Sequence, residues 1–528
     1  MKSRLVGVGT ALVLGAALLG PAPSTSASPE RSASPAALRS DFDGDGFADL
    51  AIGAPLENVG SAQNAGAVTV IEGSTQGLGG PMTTWTQDTP GVPGTGAMDD
   101  RFGTSLATGD FDGDGFADLA IGVLLDEVAG VRNAGAVNVL YGSAHGLTAT
   151  GSRLWHQDSP AVVDTVEEED RFGNALATGD FDGDGKDDLA VGVSEEDVGT
   201  LVDAGAVVVL PGSPSGLTGT GSRILHQDRP GVVGQAAPDE QFGSAVAAGN
   251  LGHGGFDDLA VGARFEDVGN ISGAGIVTVL YGSSEGLTGT DSQSWSQNSD
   301  GMRDVAEPGD SFGGSLAIGN VGGAVQKDLV VGVALETLGS EQAAGAVQVI
   351  YGSLTGLTSE GNQFWSQDSA GVNGTAEARD FFGSRVTVGN LGRSQHADVV
   401  VGVPSEDAGA QEAGVVNVLY GSATGVTAEG NEVWYQGTTG IAGGPEEPDL
   451  FGSALAIGSY GRDTPMDLAV GVQSEALGLV TGAGAVNVIY GSPSGLTATG
   501  NHLVTQDDDG SDDAAEQGDN FGTALAST

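Results

Sequence analysis

Three stretches of this sequence place carboxylates where a hard cation would want them. They are Asp41-Phe42-Asp43-Gly44-Asp45-Gly46-Phe47-Ala48-Asp49, Asp110 to Asp118 and Asp180 to Asp188, each with acids at positions 1, 3, 5 and 9 and glycine at position 6. A divalent cation of the calcium type takes six to eight oxygens at about 2.3–2.6 Å in a flexible shell. Alternate carboxylates on a tight turn converge on one point, Gly46, Gly115 and Gly185 permit the bend, and position 7 can add its carbonyl. The predicted ligands are therefore Asp41, Asp43, Asp45, the carbonyl of Phe47 and Asp49 in the first loop. In the second they are Asp110, Asp112, Asp114, the carbonyl of Phe116 and Asp118. In the third they are Asp180, Asp182, Asp184, the carbonyl of Lys186 and Asp188. An EF-hand is excluded, because the twelfth positions are Ile52, Ile121 and Val191 where a bidentate Glu is required. Three bound Ca²⁺ ions are expected.

The same chain holds an internal control. Asn250–Asp258, Asn320–Asp328 and Asn390–Asp398 align with the acidic loops and lack their carboxylates at positions 3 and 5, while Ser459–Asp467 keeps Asp463 and the last Asp. These four read as metal-free versions of one turn. No other constellation promises chemistry. His156 and His226 occupy equivalent positions that hold Thr86, Ser296, Ser366, Tyr435 and Thr505 elsewhere, which marks a variable strand position. Gly282-Ser283-Ser284-Glu285-Gly286 matches a nucleophile-elbow pattern, yet the equivalent turns read Gly142-Ser143-Ala144-His145-Gly146 and Gly352-Ser353-Leu354-Thr355-Gly356, so the serine is a variant of a repeated turn. Paired acids for glycoside chemistry are not singled out among so many carboxylates. No catalytic residues are assigned.

The elements that position these loops recur at a fixed period. Phe-Gly stands at Phe102, Phe172, Phe242, Phe312, Phe382, Phe451 and Phe521, at intervals of 70, 70, 70, 70, 69 and 70. An apolar run ending in Gly-Ser recurs seven times, as does a glutamine after a large residue, at Gln87, Gln157, Gln227, Gln297, Gln367, Gln436 and Gln506. One period reads as four short strands, predicted over Phe172–Thr178, Asp188–Val193, Gly205–Leu210 and Ser222–Gln227. Four strands between glycine-rich turns fit a propeller blade, and no stretch sustains a 3.6-residue apolar period. The first period, from Asp41, lacks its Phe-Gly strand, and the last stops at Phe521–Thr528, which is that strand alone. The all-β fold expected is a single seven-bladed propeller over residues 40–528, closed by its last strand entering the first blade.

Composition narrows the function. Seventy acids against eighteen Lys and Arg give a formal charge of −52, which repels nucleic-acid backbones. The absence of cysteine removes disulfides, thiol catalysis and zinc-thiolate sites. Lys2 and Arg4, an uncharged stretch from Leu5 to Leu19 and Thr25-Ser26-Ala27 have the pattern of a signal peptide, residues 1–27, cleaved near Ala27. The apolar stretch of about fifteen residues is short of the roughly twenty that span a bilayer. Residues 28–39 read as a flexible leader rich in Pro, Ser and Ala. The expectation is a secreted monomer without a membrane span. Arginine in excess of lysine, with abundant Ala and Gly, suggests a GC-rich bacterium.

Taken together, the Phe-Gly strands, the Asp-x-Asp-Gly-Asp-Gly-x-x-Asp-Leu loops and Gly53-Ala54-Pro55 resemble FG-GAP repeats. These build the seven-bladed propeller of integrin α subunits and occur in glycosylphosphatidylinositol-specific phospholipase D and in exported bacterial proteins. The resemblance covers Asp41 to Thr528. It implies Ca²⁺ in the loops on one face and ligands on the other, hence an extracellular adhesion or recognition module for a protein or glycan. Two departures stand out: Gly-Ala-Pro is intact once, and the acidic loops fill the first three blades where integrins place them later. No counterpart of integrin leg or tail segments or of the phospholipase catalytic region is evident, so integrin-type signalling is not carried over, while a hydrolase related to the phospholipase stays open as an alternative. A glycan-binding variant draws on Trp85, Trp155, Trp295, Trp365 and Trp434, which recur once per blade and could stack on sugars, although packing between sheets is the stronger reading.

Overall fold

The contact that repeats around the molecule is one of backbone against backbone. In each blade the second strand carries a glycine whose missing side chain makes room for the carbonyl of the Phe-Gly glycine of the next blade. A Cβ on Gly53, Gly122, Gly192, Gly262, Gly332, Gly402 or Gly471 would lie 2.1–2.5 Å from the carbonyl oxygen of Gly103, Gly173, Gly243, Gly313, Gly383, Gly452 or Gly522 respectively. Every partner glycine has φ near +90°, a conformation open to Gly and strained for other residues. The preceding phenylalanines are fully buried at this seam.

In the computed structural model the described residues, 40–461, 465–508 and 514–527, form seven four-stranded antiparallel sheets and contain no helix. The expected signal peptide and leader, Asp463 and Thr528 lie outside them. Blade four is representative, with strands Phe242–Gly249, Asp258–Ala263, Ile276–Tyr281 and Thr288–Trp295. The second and third strands are buried on both sides, and the fourth is partly exposed to solvent. This burial follows from their composition, since β-branched runs flanked by glycine turns are sandwiched between neighbouring sheets.

The core is correspondingly divided. Each apolar cluster lies between two blades, as where Phe172 packs with Val137 and Trp155 of blade two and Val191 and Val208 of blade three. The seam between the chain ends is built alike: Phe521 joins Leu50 and Ile52 of blade one to Val486, Val488 and Tyr490 of blade seven. The last strand, Ala524–Ala526, pairs antiparallel with Gly53–Ala51, and Ser40 Oγ meets Ser527 Oγ at 3.1 Å. The ring closes as the incomplete first and last periods require.

Two strand limits differ from expectation. In blade three the first strand runs from Leu176 to Gly179 and the fourth from Arg223 to Leu225. Phe172 and Gly173 form a turn there, because the positive φ of Gly173 bends the chain before the ladder begins. In blades two, four and seven the strand starts at the phenylalanine and absorbs the same bend as a register shift.

Because strands alternate in direction, turns between strands one and two and between three and four open on one face of the ring. Connections between strands two and three and between blades open on the opposite face. Gly332, whose φ is not in the positive range, tests the backbone contact. Gly332→Ala would press a methyl against the Gly383 carbonyl and should lower stability by about 1–3 kcal/mol, read by urea unfolding; an unchanged midpoint contradicts the contact.

Candidate metal centres

The three acidic loops share one conformation, set by their first residue. Asp41 Oδ1 accepts the N–H groups of Gly44 at 2.7 Å and Asp45 at 3.1 Å, and its Oδ2 accepts that of Gly46 at 2.9 Å. Asp110 holds Gly113, Asp114 and Gly115 in the same way, and Asp180 holds Gly183, Asp184 and Gly185. Gly44 and Gly46 have φ of 74° and 94°, and no atom lies within 4 Å of where a Cβ of Gly46 would stand, so conformation alone demands glycine there. Asp43 accepts from Asp45 N–H and Asp45 from Phe47 N–H, with the equivalents repeated in both other loops.

Carboxylate oxygens of Asp41, Asp43 and Asp45 thereby come within 4.8 Å of one another, as do those of Asp180, Asp182 and Asp184. In the second loop the convergent trio is Asp110, Asp112 and the ninth-position Asp118. The donor set is all carboxylate, without sulfur or imidazole, and suits a hard divalent cation. The third loop differs in one respect: Lys186, expected to offer its carbonyl, also lays its ammonium 3.0 Å from Asp184 Oδ2. That amine competes for a carboxylate the cation would use.

The ninth-position Asp has a second role that the sequence did not reveal. Asp49 takes the N–H of Phe42 and of Gly73, each at 2.8 Å, tying the loop to the turn between strands three and four. Asp118 and Asp188 do the same, and so do Asp258, Asp328, Asp398 and Asp467 in the loops that lack the other acids. It is a structural staple in all seven blades. The only sequence hint was its persistence where the other carboxylates are gone.

The charge-poor loops do not keep the same turn. Asn250 donates its amide N–H to the Gly254 carbonyl at 3.0 Å, Asn320 to Ala324 and Asn390 to Ser394. An aspartate at position 1 gathers N–H groups, whereas an asparagine there draws in a carbonyl. In the loops of Asn250 and Asn390 positive φ stays at position 4, at His253 and Arg393, is lost at position 6 and appears at position 3, at Gly252 and Gly392. What persists is the staple and an interloop bond: the residue at position 8 donates its N–H to the position 1 carbonyl of the preceding loop, from Ala48 to Ser459 through Ala117 to Asp41 and onward to Met466 to Asn390. Side chains at position 7 add packing. Phe116 lies over Gly44, Lys186 over Gly113 and Phe256 over Gly183. The loops form a hydrogen-bonded ring of their own.

The remaining candidates sit in structural roles. Ser283 Oγ donates to Gly286 O, the bond that Ser74, Ser143, Ser213, Ser353, Ser422 and Ser492 make in their turns. Trp85, Trp155, Trp295 and Trp434 are buried and pack in interblade clusters, and Trp365 is half-buried against another. They do not offer faces to sugars.

Three regions, 36–71, 102–140 and 172–210, match the FG-GAP repeat family, and they are the three that contain the acidic loops. The chain carries FG-GAP repeats over these three regions. Integrin alpha-PS2 of Drosophila melanogaster is 35% identical over 172 residues, 31% of this chain and 12% of that protein. Phosphatidylinositol-glycan-specific phospholipase D of Rattus norvegicus is 30% identical over 181 residues, 34% of this chain and 20% of the enzyme. The FG-GAP chain thus matches at most a fifth of the length of these two relatives. A Bacillus licheniformis rhamnogalacturonan lyase overlaps 77% of this chain and 78% of its own at 10% identity and a TM-score of 0.31, which carries no argument.

Burial pushes the staple carboxyls upward against the pull of their backbone donors: Asp49 and Asp118 to about 8, Asp188, Asp258 and Asp398 to about 7. A carboxyl raised in the folded state contributes stability that is full below its unfolded value near 4 and is lost as pH rises through 7–8. In chelator, the melting temperature should therefore fall between pH 5 and pH 8. A flat or rising profile contradicts these environments.

Proposed function

We propose that this FG-GAP propeller is an exported recognition module, stabilised by calcium in the loops Asp41–Asp49, Asp110–Asp118 and Asp180–Asp188 and binding its partner on the opposite face. The observation that carries the reading is the separation of the two faces. All three complete acidic loops open on one of them. Of the ten exposed large hydrophobic side chains among the described residues, Met98, Val163, Val202, Val233, Phe265, Val305, Leu335 and Leu479 belong to connections of the other face, against Val325 and Leu354 on the face of the acidic loops. Exposed apolar side chains rimmed by polar residues favour a contact surface.

Export is supported by the signal-like segment ending near Ala27, and the likeness to integrin α subunits supports a role in adhesion or recognition. Among the described residues no helix is long and apolar enough to cross a membrane. Extracellular calcium sites bind at roughly 10⁻⁴–10⁻³ M, a range that suffices outside a cell. Calcium at the loops would act on the whole ring, because each loop is bonded to its neighbour through the position 8 N–H. Relief of repulsion among crowded carboxylates supplies the binding energy.

Two measurements test this reading. Chelation should lower the melting temperature at pH 7.5 and readdition of calcium restore it; a midpoint indifferent to chelator sinks the calcium assignment. Binding of the chain to a panel of matrix polymers and glycans, in calcium and in chelator, should reveal a calcium-dependent partner. That binding should be lost in Phe265→Glu with Leu335→Glu and kept in Val325→Glu with Leu354→Glu. Loss in the second pair alone would place the partner on the wrong face.

A further inference from the structure

On the face opposite the acidic loops, one polar arrangement recurs where blades meet. The glutamine after the fourth strand reaches the next blade, and its Nε2 donates to a buried carboxylate beyond the second strand. Gln157 meets Glu196 at 2.7 Å, Gln297 meets Glu336 at 2.5 Å and Gln367 meets Glu406 at 2.6 Å, with the same bond from Gln227, Gln436 and Gln506. In four junctions a glycine covers the amide. A Cβ on Gly94, Gly234, Gly374 or Gly443 would come within 2.6–3.2 Å of its nitrogen.

Among the described residues two junctions depart from this; at the seventh, after Gln506, the equivalent residue is Asp513, which lies outside them. Between blades two and three the glycine is replaced by Asp164, and between blades four and five by Asp304. Their carboxylates accept the second N–H of the amide, at 3.2 Å from Gln157 and 3.0 Å from Gln297. Both N–H groups of each amide are then held by carboxylates, so the head of the side chain lies within the acidic group. Gln157 and Gln297 are 0% and 1% exposed, and the Oε1 of each has no hydrogen-bond partner, as is true of the other junction glutamines. Leaving such an oxygen buried and unmet costs about 1–3 kcal/mol.

Around Gln297 stand Asp304, Glu307, Asp310 and Glu336, and ligand oxygens of the last three lie within 4.8 Å of one another. The charged groups acting on Glu336 are Asp304 and Asp310, both of the same sign. Gln157, Asp164, Glu167, Asp170 and Glu196 are the same residue types at the equivalent positions. There Arg229 faces Asp164, its Nε donating to the Ile224 carbonyl. At Gln297, where three of the carboxylates converge, four carboxylates beside an amide oxygen that lacks a donor make an arrangement short of positive charge.

We propose that the junction of Gln297 binds a hard divalent cation of the calcium class, held by Asp304, Glu307, Asp310, Glu336 and the glutamine Oε1. It is distinct from the three acidic loops, on the other face of the ring, and joins two blades directly. Of the four glycine-bearing junctions, those of Gln227, Gln367 and Gln436 keep the glutamine–carboxylate bond, and all four do without the ion.

The test is bound calcium per chain, measured by equilibrium dialysis at saturating calcium on the full chain. Asp304→Gly gives this junction the residue that four others carry, and it should bind one calcium ion fewer than the unaltered protein. Asp182→Ala with Asp184→Ala should instead lose one, from the third acidic loop, so the two assignments fail separately. An unchanged count in the glycine variant overturns the proposal. If that variant does not fold by circular dichroism, Asp304→Asn should lose one ion, and a full complement there overturns it equally.

Discussion

Around the ring, the absence of a side chain on one glycine lets the backbone of one blade touch the backbone of the next. Gly332 against Gly383 and its six counterparts hold neighbouring sheets closer than any Cβ would allow. That spacing brings the Phe-Gly phenylalanine into full burial and divides the apolar core into interblade clusters. It also sets the distance at which one 1–2 loop meets the next. A wider seam would separate the position 8 N–H from the carbonyl it finds at about 3 Å.

On this scaffold the 1–2 loop has two states, chosen by a single atom type. Aspartate at the first position has only acceptors and collects three N–H groups, which turns the following carboxylates inward. Asparagine has a donor and uses it on the position 5 carbonyl, as Asn320 does at 2.6 Å. The ninth-position aspartate is indifferent to this choice, because its two backbone donors come from the loop entrance and from the neighbouring turn. Staple and cation ligand are therefore separable duties, and the staple is the older requirement in structural terms: it is met in every blade.

The distribution of charge follows the same logic. In a chain of −52, carboxylates are buried on both faces, and few cations are available to meet them. Backbone N–H groups meet the staples, a glutamine amide meets the junction glutamates, and Lys186 meets Asp184. Where these donors run short, as around Gln297, the balance calls for something from outside the chain. Ion pairs are few among the described residues, and packing of apolar seams carries the fold.

The sequence by itself determined the repeat length, the number of blades, the closing strand and the three acidic loops, because each is written in local residue order with a fixed period. The interruption of the first and last periods even located the seam, since a strand and its missing slot must pair. What only the tertiary structure decided are contacts across blades. Position 7 side chains lie over the glycine of the preceding loop, the tryptophans are packed against neighbouring sheets, and Gln157 reaches Glu196. The onset of the first strand in blade three likewise depended on where Gly173 turned. These partners are tens of residues apart, and their meeting is fixed by the rotation of one sheet on the next. Nothing in the local order of either residue records that rotation.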